Sequence, residues 1–300
     1  MRAEGPFATI TDLDRILVTG ATGWLGRELI ARLSVLRPEV PILAVASRHQ
    51  KVHLGRLEID ALAWEFEAIA QWRPSVVVHL AFLTREREAA MGWSEYESRN
   101  RQLSDLATRL YSLPSIRAFV YASSGAALLP RSGMYGRLKA EDEERFQEKG
   151  EALGVPTTIA RVWSVSGAWC PKPDHFALYD LIRQTQLSPV VRINSAHEVV
   201  RRYVDAGEFL EICLAFAGSG GSGSIDSGGE RVEIGELAQR IQQVLGIIRP
   251  IERPELTGAA DGYFSDSSTM SQLARRFGVS LSGLEKQIGR SAEAVDVGRS

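Results

Sequence analysis

One short segment near the start constrains the fold of this chain more than any other. Residues 16–19 read Ile-Leu-Val-Thr, an apolar run typical of a buried strand, and an amphipathic helical pattern begins at Trp24. Gly20, Gly23 and Gly26 lie in the intervening turn and at the start of this helix. In such a turn one glycine permits the tight bend, one allows a phosphate to approach the backbone, and one lets the helix pack against the strand. The segment therefore predicts a strand–turn–helix unit that binds a pyrophosphate at the helix N-terminus.

The rest of the first half repeats the alternation of strand and helix. Strand segments are almost continuously apolar, as is typical of parallel strands buried on both faces. The pattern predicts an α/β protein with a doubly wound parallel sheet of the Rossmann type. Strands are expected at residues 15–19, 41–47, 75–80, 116–123 and 155–162, and helices at 24–36, 61–72, 93–113 and 134–153.

The alternation weakens after residue 162, and this change predicts the domain organisation. Residues 1–162 are expected to form a dinucleotide-binding domain, to which elements near 190–230 return. Residues 163–300 are expected to form mostly a smaller C-terminal substrate-binding lobe. A glycine- and serine-rich stretch at 218–224 is interpreted as a flexible loop rather than an interdomain linker.

The end of the second predicted strand indicates which dinucleotide is bound. In proteins that select NAD, an acidic residue about twenty residues after the glycines usually bonds the ribose 2′-hydroxyl. Here Ser47 and Arg48 follow the strand, and their hydroxyl and guanidinium could bind a 2′-phosphate. NADP(H) is therefore favoured, with NAD as the alternative. Asp60 could bond the adenine amino group or cap the helix predicted from residue 61.

A tyrosine and a lysine lie four residues apart at the start of the helix predicted at 134–153. Tyr135 and Lys139 therefore share one face of that helix. A nearby ammonium stabilises phenolate, so the pKa of Tyr135 is expected to move toward neutrality, where it can exchange a proton with a carbonyl or carbinol. Ser123 and Ser124 lie at the end of the preceding strand, which thus offers a hydroxyl that can bond the same substrate oxygen.

Together these motifs resemble the extended short-chain dehydrogenase/reductase family, the NAD-dependent epimerase/dehydratase group that acts mainly on nucleotide sugars. The resemblance spans nearly the whole chain, at residues 19–26, 77–81, 124–139, 161–167 and 200–204. It implies an NAD(P)-dependent oxidoreductase whose cofactor is held by the glycine turn, by the end of the strand predicted at 75–80 with the residue after it, and by the tyrosine and lysine. The implied cofactor residues are Gly20, Thr22, Gly23, Trp24, Leu25, Gly26, Ser47, Arg48, Asp60, Leu80, Ala81, Tyr135 and Lys139.

The same resemblance implies the remaining site residues and the oligomeric state. Ser124, Tyr135 and Lys139 match the family's catalytic trio, and Asn100 matches its helix asparagine. Arg201 matches an arginine that contacts the substrate diphosphate. Relatives often dimerise through the two helices that correspond to residues 93–113 and 134–153, so a homodimer is expected.

Departures from the family pattern leave the substrate and the reaction open. Only ten residues separate Ser124 from Tyr135, where many members have a longer insertion that covers the substrate. Other differences are that Ser164 and Ser166 replace the usual Asn and Tyr, that Gly207 and Glu208 replace an Asp pair, and that no acid follows the serine at residues 125–127, which disfavours dehydration.

Two reactions and one non-catalytic function stay under consideration. Reduction of a keto-sugar by NADPH is placed slightly ahead of epimerisation by transient oxidation, because it needs fewer groups. His175 is a candidate substrate-binding acid/base for the second reaction, although a loop histidine without a role is more common. A dinucleotide sensor without turnover is the third hypothesis, and the intact serine, tyrosine and lysine argue against it.

Composition excludes several other classes of protein. The formal net charge is −2 and Lys/Arg are not clustered, so a nucleic-acid partner is not predicted. Apolar stretches such as 76–83 are too short to cross a bilayer, and residues 1–6 do not lead into a signal peptide, so a cytoplasmic protein is expected. Cys170 and Cys213 are too few for a disulfide framework or a zinc site, and both are expected to be buried thiols.

Overall fold

The computed structural model describes residues 14–129, 133–266 and 268–297. The signal-peptide interpretation concerns residues 1–6 and lies outside the described residues, as does part of the short segment between Ser124 and Tyr135. Among the described residues, no helix is both long enough and apolar enough to cross a membrane.

The described strands are mostly short, with two to seven residues each. They are β1 (Ile16–Thr19), β2 (Ile42–Ala46), β3 (Gln50–Leu54), β4 (Leu57–Ala63), β5 (Val76–His79), β6 (Ala118–Ser124), β7 (Thr157–Val162), β8 (Ser164–Ser166), β9 (Val191–Arg192), β10 (Val199–Asp205), β11 (Gly223–Asp226), β12 (Glu230–Glu233), β13 (Ile251–Glu252) and β14 (Asp261–Tyr263).

Helices connect most of these strands and cover both faces of the main sheet. They are α1 (Trp24–Leu36), α2 (Phe66–Trp72), α3 (Arg85–Met91), α4 (Trp93–Leu110), α5 (Gly133–Leu153), α6 (Ala177–Leu187), α7 (Ala206–Gly218), α8 (Ile234–Leu245), α9 (Ser268–Phe277) and α10 (Leu284–Val297). Short 3₁₀ turns occur at Gly125–Leu128 and Pro173–His175.

An eight-stranded sheet organises the molecule, in the order β11-β7-β6-β5-β1-β2-β4-β3. Every neighbouring pair is parallel except β3 and β4. Strand β1 lies between β2 and β5, so the strand order reverses direction there and opens a crevice at the carboxyl ends of β1 and β5. The predicted doubly wound Rossmann-type sheet is confirmed.

The helix predicted at 61–72 is wrong over its first half. Residues 57–63 form strand β4, in which Leu57, Ile59 and Ala61 are less exposed than the alternating residues between them. This period of two is the strand pattern, and it lets β4 pair with both β2 and β3. Helix α2 begins only at Phe66, after this hairpin ends.

The core of the main sheet has two layers, one on each face of the sheet. Side chains of β5 alternate between them: Val76 and Val78 pack with α1 and α7, whereas Val77 packs with α4 and α5. Burial on both faces explains why these strands are continuously apolar in sequence. Cys213 lies in the first layer and Cys170 in the lobe described next; both are free and buried, as predicted.

A second, smaller core lies in the C-terminal half. Strand β10 pairs with β8, β12 and β14, and helices α6, α8 and α10 pack around them. Between the elements of this lobe, β11 returns to the main sheet beside β7. The loop before β11 is held there, because the Thr157 backbone N–H donates to the Ser222 hydroxyl at 3.1 Å.

Candidate active site

The glycine turn has the geometry of a phosphate-binding cradle. Gly20 has φ +69°, and a Cβ there would lie 2.7 Å from the backbone nitrogen of Ala81. A Cβ on Gly26 would lie 2.4 Å from the Gly20 carbonyl oxygen. Gly23 precedes α1 and has no side chain with which to cap it, so the first N–H groups of the helix are available to an anion. The turn therefore fits the pyrophosphate of a dinucleotide.

The loop after β5 forms the other wall of the crevice. It contains Leu80 and Ala81, and the Leu80 N–H donates to the Thr19 carbonyl at 3.2 Å. Helix α4 fixes the end of this loop: Asn100 accepts from the Leu83 N–H at 2.8 Å, and the Tyr96 hydroxyl donates to the Leu83 carbonyl at 2.7 Å. Asn100 is thus a buried residue that holds the crevice wall in place.

Three hydroxyl groups meet at the carboxyl end of β6. Ser124 ends this strand, and its oxygen lies 3.5 Å from the hydroxyl of Tyr263, a residue of β14. Tyr135, near the start of α5, also bonds Ser124, and this bond lowers the pKa of Tyr135. Burial acts more strongly in the opposite direction and raises the pKa of Tyr135 to about 12. The cluster can direct hydroxyl groups at one substrate oxygen.

The side chain of Lys139 is buried one turn further along α5. Its ammonium donates to the Ala122 carbonyl at 2.6 Å and lies 3.8 Å from the ring centroid of Phe82. Burial lowers the pKa of Lys139 to about 7. The expected fall in the pKa of Tyr135 toward neutrality is therefore not seen in the protein alone, because both groups are desolvated.

The two serines of β6 point to opposite faces of the sheet. The Ser123 hydroxyl donates to Glu143, which also accepts two hydrogen bonds from the Arg161 side chain on one of its oxygens. The structure therefore brings Ser124, and not Ser123, to Tyr135. Alternation along a strand predicts that the two serines face opposite sides of the sheet, but which of them meets Tyr135 depends on how α5 packs.

The proposed 2′-phosphate residues lie at the far end of the crevice. Ser47 and Arg48 are exposed and directly follow β2. Asp60 lies within β4, with its carboxylate 3.9 Å from the His49 ring. It does not cap a helix, since α2 begins six residues later, and the capping alternative is wrong.

Aromatic residues absent from the sequence-based predictions line the opposite side of the crevice. The Trp163 and Tyr263 rings are 4.9 Å apart, and a Cβ on Gly125 would collide with Trp163. Arg201 lies 5.7 Å from the Tyr263 ring and pairs with Asp261 at 2.9 Å. We call Trp163, Arg201 and Tyr263 the substrate wall.

His175 lies apart from these groups. It is exposed in the 173–175 turn, just before α6. The structure therefore does not bring His175 to the hydroxyl cluster of Ser124, Tyr135 and Tyr263.

Residues that depart from the family pattern make internal contacts. The Ser166 hydroxyl is buried and bonds the Gln287 side chain at 2.7 Å. Glu208 is also buried and accepts from the Ser282 N–H at 2.8 Å. These side chains stabilise the lobe and do not face the crevice.

A buried acidic cluster joins the cofactor helix to the lobe. Glu28 of α1 accepts from the Trp169 N–H at 2.9 Å and pairs with Arg290 at 3.1 Å. Arg290 also pairs with Asp205, which caps α7 through the Glu208 N–H. Burial, and next the Asp205 charge, raise the pKa of Glu28 to about 7.

Comparison with known proteins identifies the family. The model of the NAD dependent epimerase/dehydratase family matches residues 16–235, which include the glycine turn, the hydroxyl-bearing strand and β10. The chain belongs to this family.

Individual relatives are distant. The chain is 25% identical over 236 residues to a UDP-2-acetamido-2,6-beta-L-arabino-hexul-4-ose reductase of Pseudomonas aeruginosa, a match that covers 76% of this chain but only 57% of that reductase. The fold of this chain is similar to that of a UDP-N-acetylglucosamine 4-epimerase of Methanobrevibacter ruminantium, with TM-score 0.74 and 16% identity over 95% of this chain and 99% of the other. A dTDP-glucose 4,6-dehydratase of Bacillus anthracis, solved in complex with NAD, gives TM-score 0.73 and 13% identity over 95% and 97%.

Proposed function

We propose that this protein is an NADPH-dependent reductase that converts the keto group of a nucleotide-linked sugar to an alcohol. The observation that carries the proposal is the meeting of the Ser124, Tyr135 and Tyr263 side chains at the end of β6, beside the buried Lys139. The reductase named among the relatives supports the choice of reaction.

The glycine turn and the crevice walls would hold the dinucleotide. Gly20 and Gly26 leave space that a Cβ would fill, and the N-terminus of α1 favours the pyrophosphate charge. Bound NADPH would supply the hydride that reduces the carbonyl carbon.

Side chains of the protein would supply the proton that completes the reduction. Ser124 orients the carbonyl oxygen, and the Tyr135 hydroxyl donates its proton to that oxygen as negative charge develops on it. The raised pKa keeps Tyr135 protonated and ready to donate at neutral pH. Lys139, when charged, stabilises the phenolate that remains, which is then reprotonated from solvent.

Cofactor choice rests on the end of β2. Ser47 and Arg48 are exposed there, and no acid occupies these two positions to repel a 2′-phosphate. NAD is the alternative, because several structures of similar fold were solved in complex with NAD.

The larger arrangement of the protein is also part of the proposal. Residues 1–162 with β11 would bind the dinucleotide, and most of the remainder would bind the sugar nucleotide, with Arg201 at its diphosphate. We expect a cytoplasmic homodimer formed through α4 and α5, which pack side by side and share the Arg101–Glu141 ion pair. Light scattering of the purified protein measures this state directly.

A cofactor assay with keto-sugar nucleotides tests the proposed reaction. The protein is mixed with NADPH or NADH and a set of UDP- and dTDP-linked 4-keto sugars, and cofactor absorbance and sugar products are followed. A reductase consumes NADPH with a keto substrate, and Tyr135→Phe, the matched control, does not.

Two outcomes would replace the proposal with one of its alternatives. Interconversion of two sugar nucleotides without net change of cofactor indicates an epimerase, which uses the same three residues. Cofactor binding without turnover of any substrate indicates a dinucleotide sensor.

A further inference from the structure

A buried carboxylate lies behind the Lys139 ammonium. Asp142 is three residues after Lys139 on α5, and its side chain is almost completely buried. One carboxylate oxygen accepts from the Ser104 hydroxyl at 2.6 Å and from the Tyr121 hydroxyl at 3.0 Å. Burial raises the pKa of Asp142, while the hydrogen bonds from Ser104 and Tyr121 and the charges of Lys139 and Arg145 act in the opposite direction and favour the carboxylate.

Tyr121 connects this carboxylate to the lysine. Its ring centroid lies 4.7 Å from the Lys139 nitrogen, while its hydroxyl bonds Asp142. The ammonium is thus bordered by the rings of Tyr121 and Phe82 and bonded to a single neutral carbonyl, that of Ala122. These neutral groups replace little of the hydration that the ammonium loses, so a nearby anion has a large effect.

Apart from Asp142, the ionisable groups near Lys139 are either neutral or already paired with another charge. On its own helix, Glu143 also acts on Lys139 but is held by the Arg161 guanidinium of β7. His79 of β5 is buried, and its lowered pKa of about 3 keeps it neutral. Tyr121 of β6 faces the ammonium with its ring, and Tyr135 of α5 contacts the same Phe82 ring as Lys139 does. Ser104 of α4, which bonds Asp142, is uncharged.

We propose that Asp142 is a positioning residue that keeps Lys139 charged at working pH, with Tyr121 and Ser104 fixing its carboxylate. Nothing in the cofactor turn or the substrate wall takes part in this arrangement, in which Tyr121 lies between the two groups. Its consequence for catalysis rests on the proposed function, in which a charged Lys139 stabilises the Tyr135 phenolate.

The expected effect of removing the Asp142 charge has a definite sign. Burial already lowers the pKa of Lys139 to about 7, and the Asp142 charge raises it. Asp142→Asn should therefore lower the titration midpoint of Lys139 further, by about one pH unit, the low end of the effect of a nearby opposite charge. The alkaline limb of kcat/KM should move to lower pH by a similar amount.

NMR of the cofactor-free protein measures this midpoint without any assay of activity. The chain has five lysines, so ¹³C-labelled lysine gives a simple spectrum in which Lys139→Met identifies the Lys139 signal. The matched control is Asp105→Asn, which removes an exposed carboxylate that pairs with Arg145 on the outer surface. This control should leave the Lys139 midpoint unchanged.

The result separates this proposal from the proposed reaction. A lowered midpoint in Asp142→Asn supports the role of Asp142 even if every sugar nucleotide tested proves not to be a substrate. An unchanged midpoint in the folded variant overturns it even if the reductase activity is found.

A second variant keeps the proposal testable if Asp142→Asn does not fold. Ser104→Ala removes one donor that keeps the carboxylate charged, and it should lower the Lys139 midpoint in the same direction by a smaller amount. No movement in Ser104→Ala would then overturn the proposal.

Discussion

The two sides of the crevice are constructed in different ways. The cofactor side consists of the turn between β1 and α1 and the loop after β5, and its contacts join segments that are close in sequence or belong to adjacent strands. The substrate wall takes Trp163 from the link between β7 and β8, Arg201 from β10 and Tyr263 from β14, positions separated by dozens of residues. These side chains contact one another and are also held by the carboxylates of Asp226 and Asp261.

This difference separates a side that depends on backbone geometry from a side that depends on individual side chains. A glycine turn on a parallel sheet binds a dinucleotide by backbone geometry, which few sequences can supply. A wall of side chains can change one residue at a time, so it can alter the accepted sugar while the sheet and the cofactor turn stay intact. The following experiments test whether each side of the crevice can be changed without affecting the other.

The largest effect is expected at the junction of the two sides. Tyr135→Phe removes the proton donor but keeps the ring that packs edge-to-face on Phe82 at 5.7 Å. Turnover should fall about 10²–10⁴-fold, the usual contribution of general acid catalysis, while NADPH binding is retained. Stopped-flow and cofactor-fluorescence measurements check both parts, and Ser124→Ala should be milder. Full turnover in Tyr135→Phe would remove the catalytic assignment.

A change confined to the cofactor side should alter one cofactor and not the other. Arg48→Ala should weaken NADPH binding by about tenfold to hundredfold, because a hydrogen bond to a charged group contributes about 1.5–3 kcal/mol. NADH binding should stay the same. Calorimetric titration gives both affinities, and Arg56→Ala, an exposed arginine in the β3–β4 turn, is the control. Equal weakening of both cofactors would contradict the selection of NADP(H).

The acidic cluster around Glu28 joins the cofactor helix to the C-terminal lobe, so its protonation should affect the stability of the folded protein. Because the folded pKa of Glu28 is raised to about 7, the folded protein binds more protons than the unfolded chain between pH 4.5 and 7. Stability should therefore fall as the pH rises through this window, by about 3 kcal/mol. Glu28→Gln should flatten this dependence in denaturant unfolding experiments, whereas Glu144→Gln, on the exposed face of α5, should not. An identical pH dependence in Glu28→Gln and wild type would argue against the raised pKa.

A change confined to the substrate wall should have the smallest effect. Arg201 is partly exposed and already paired with Asp261, so Arg201→Ala should raise KM for a sugar nucleotide by about tenfold and leave cofactor affinity unchanged. Asp261→Asn frees the guanidinium and should change KM in the opposite direction or not at all. Steady-state kinetics with both substrates varied gives the two constants. An unchanged KM in Arg201→Ala would indicate that this arginine only braces the wall.

Much of the fold follows from the sequence, and its main error has a physical cause. The buried parallel strands are recognisable because both of their faces need apolar side chains. Strand β4 was mistaken for the start of a helix because its exposed, mixed pattern near the edge of the sheet is weak, and its pairing with β2 and β3 depends on distant backbone groups. The glycine turn and the pair of Tyr135 and Lys139 could be proposed from local sequence, since each lies in one turn or on one helix face. The choice of Ser124 over Ser123 followed from the family resemblance.

Only the tertiary structure decided which other groups meet these residues. No local pattern marks Tyr263, yet the pairing of β14 with β10 brings it to Ser124. The opposite orientation of Ser123, bonded to Glu143, likewise depends on where α5 crosses the sheet. Burial lowers the pKa of Lys139, and the carboxylates of Asp142 and Glu143 raise it, and a spacing of four residues reveals neither effect. The sequence by itself determined which functional groups share one strand end or one helix face. Contacts between different elements, and the desolvation that these contacts impose, exist only after the chain has folded.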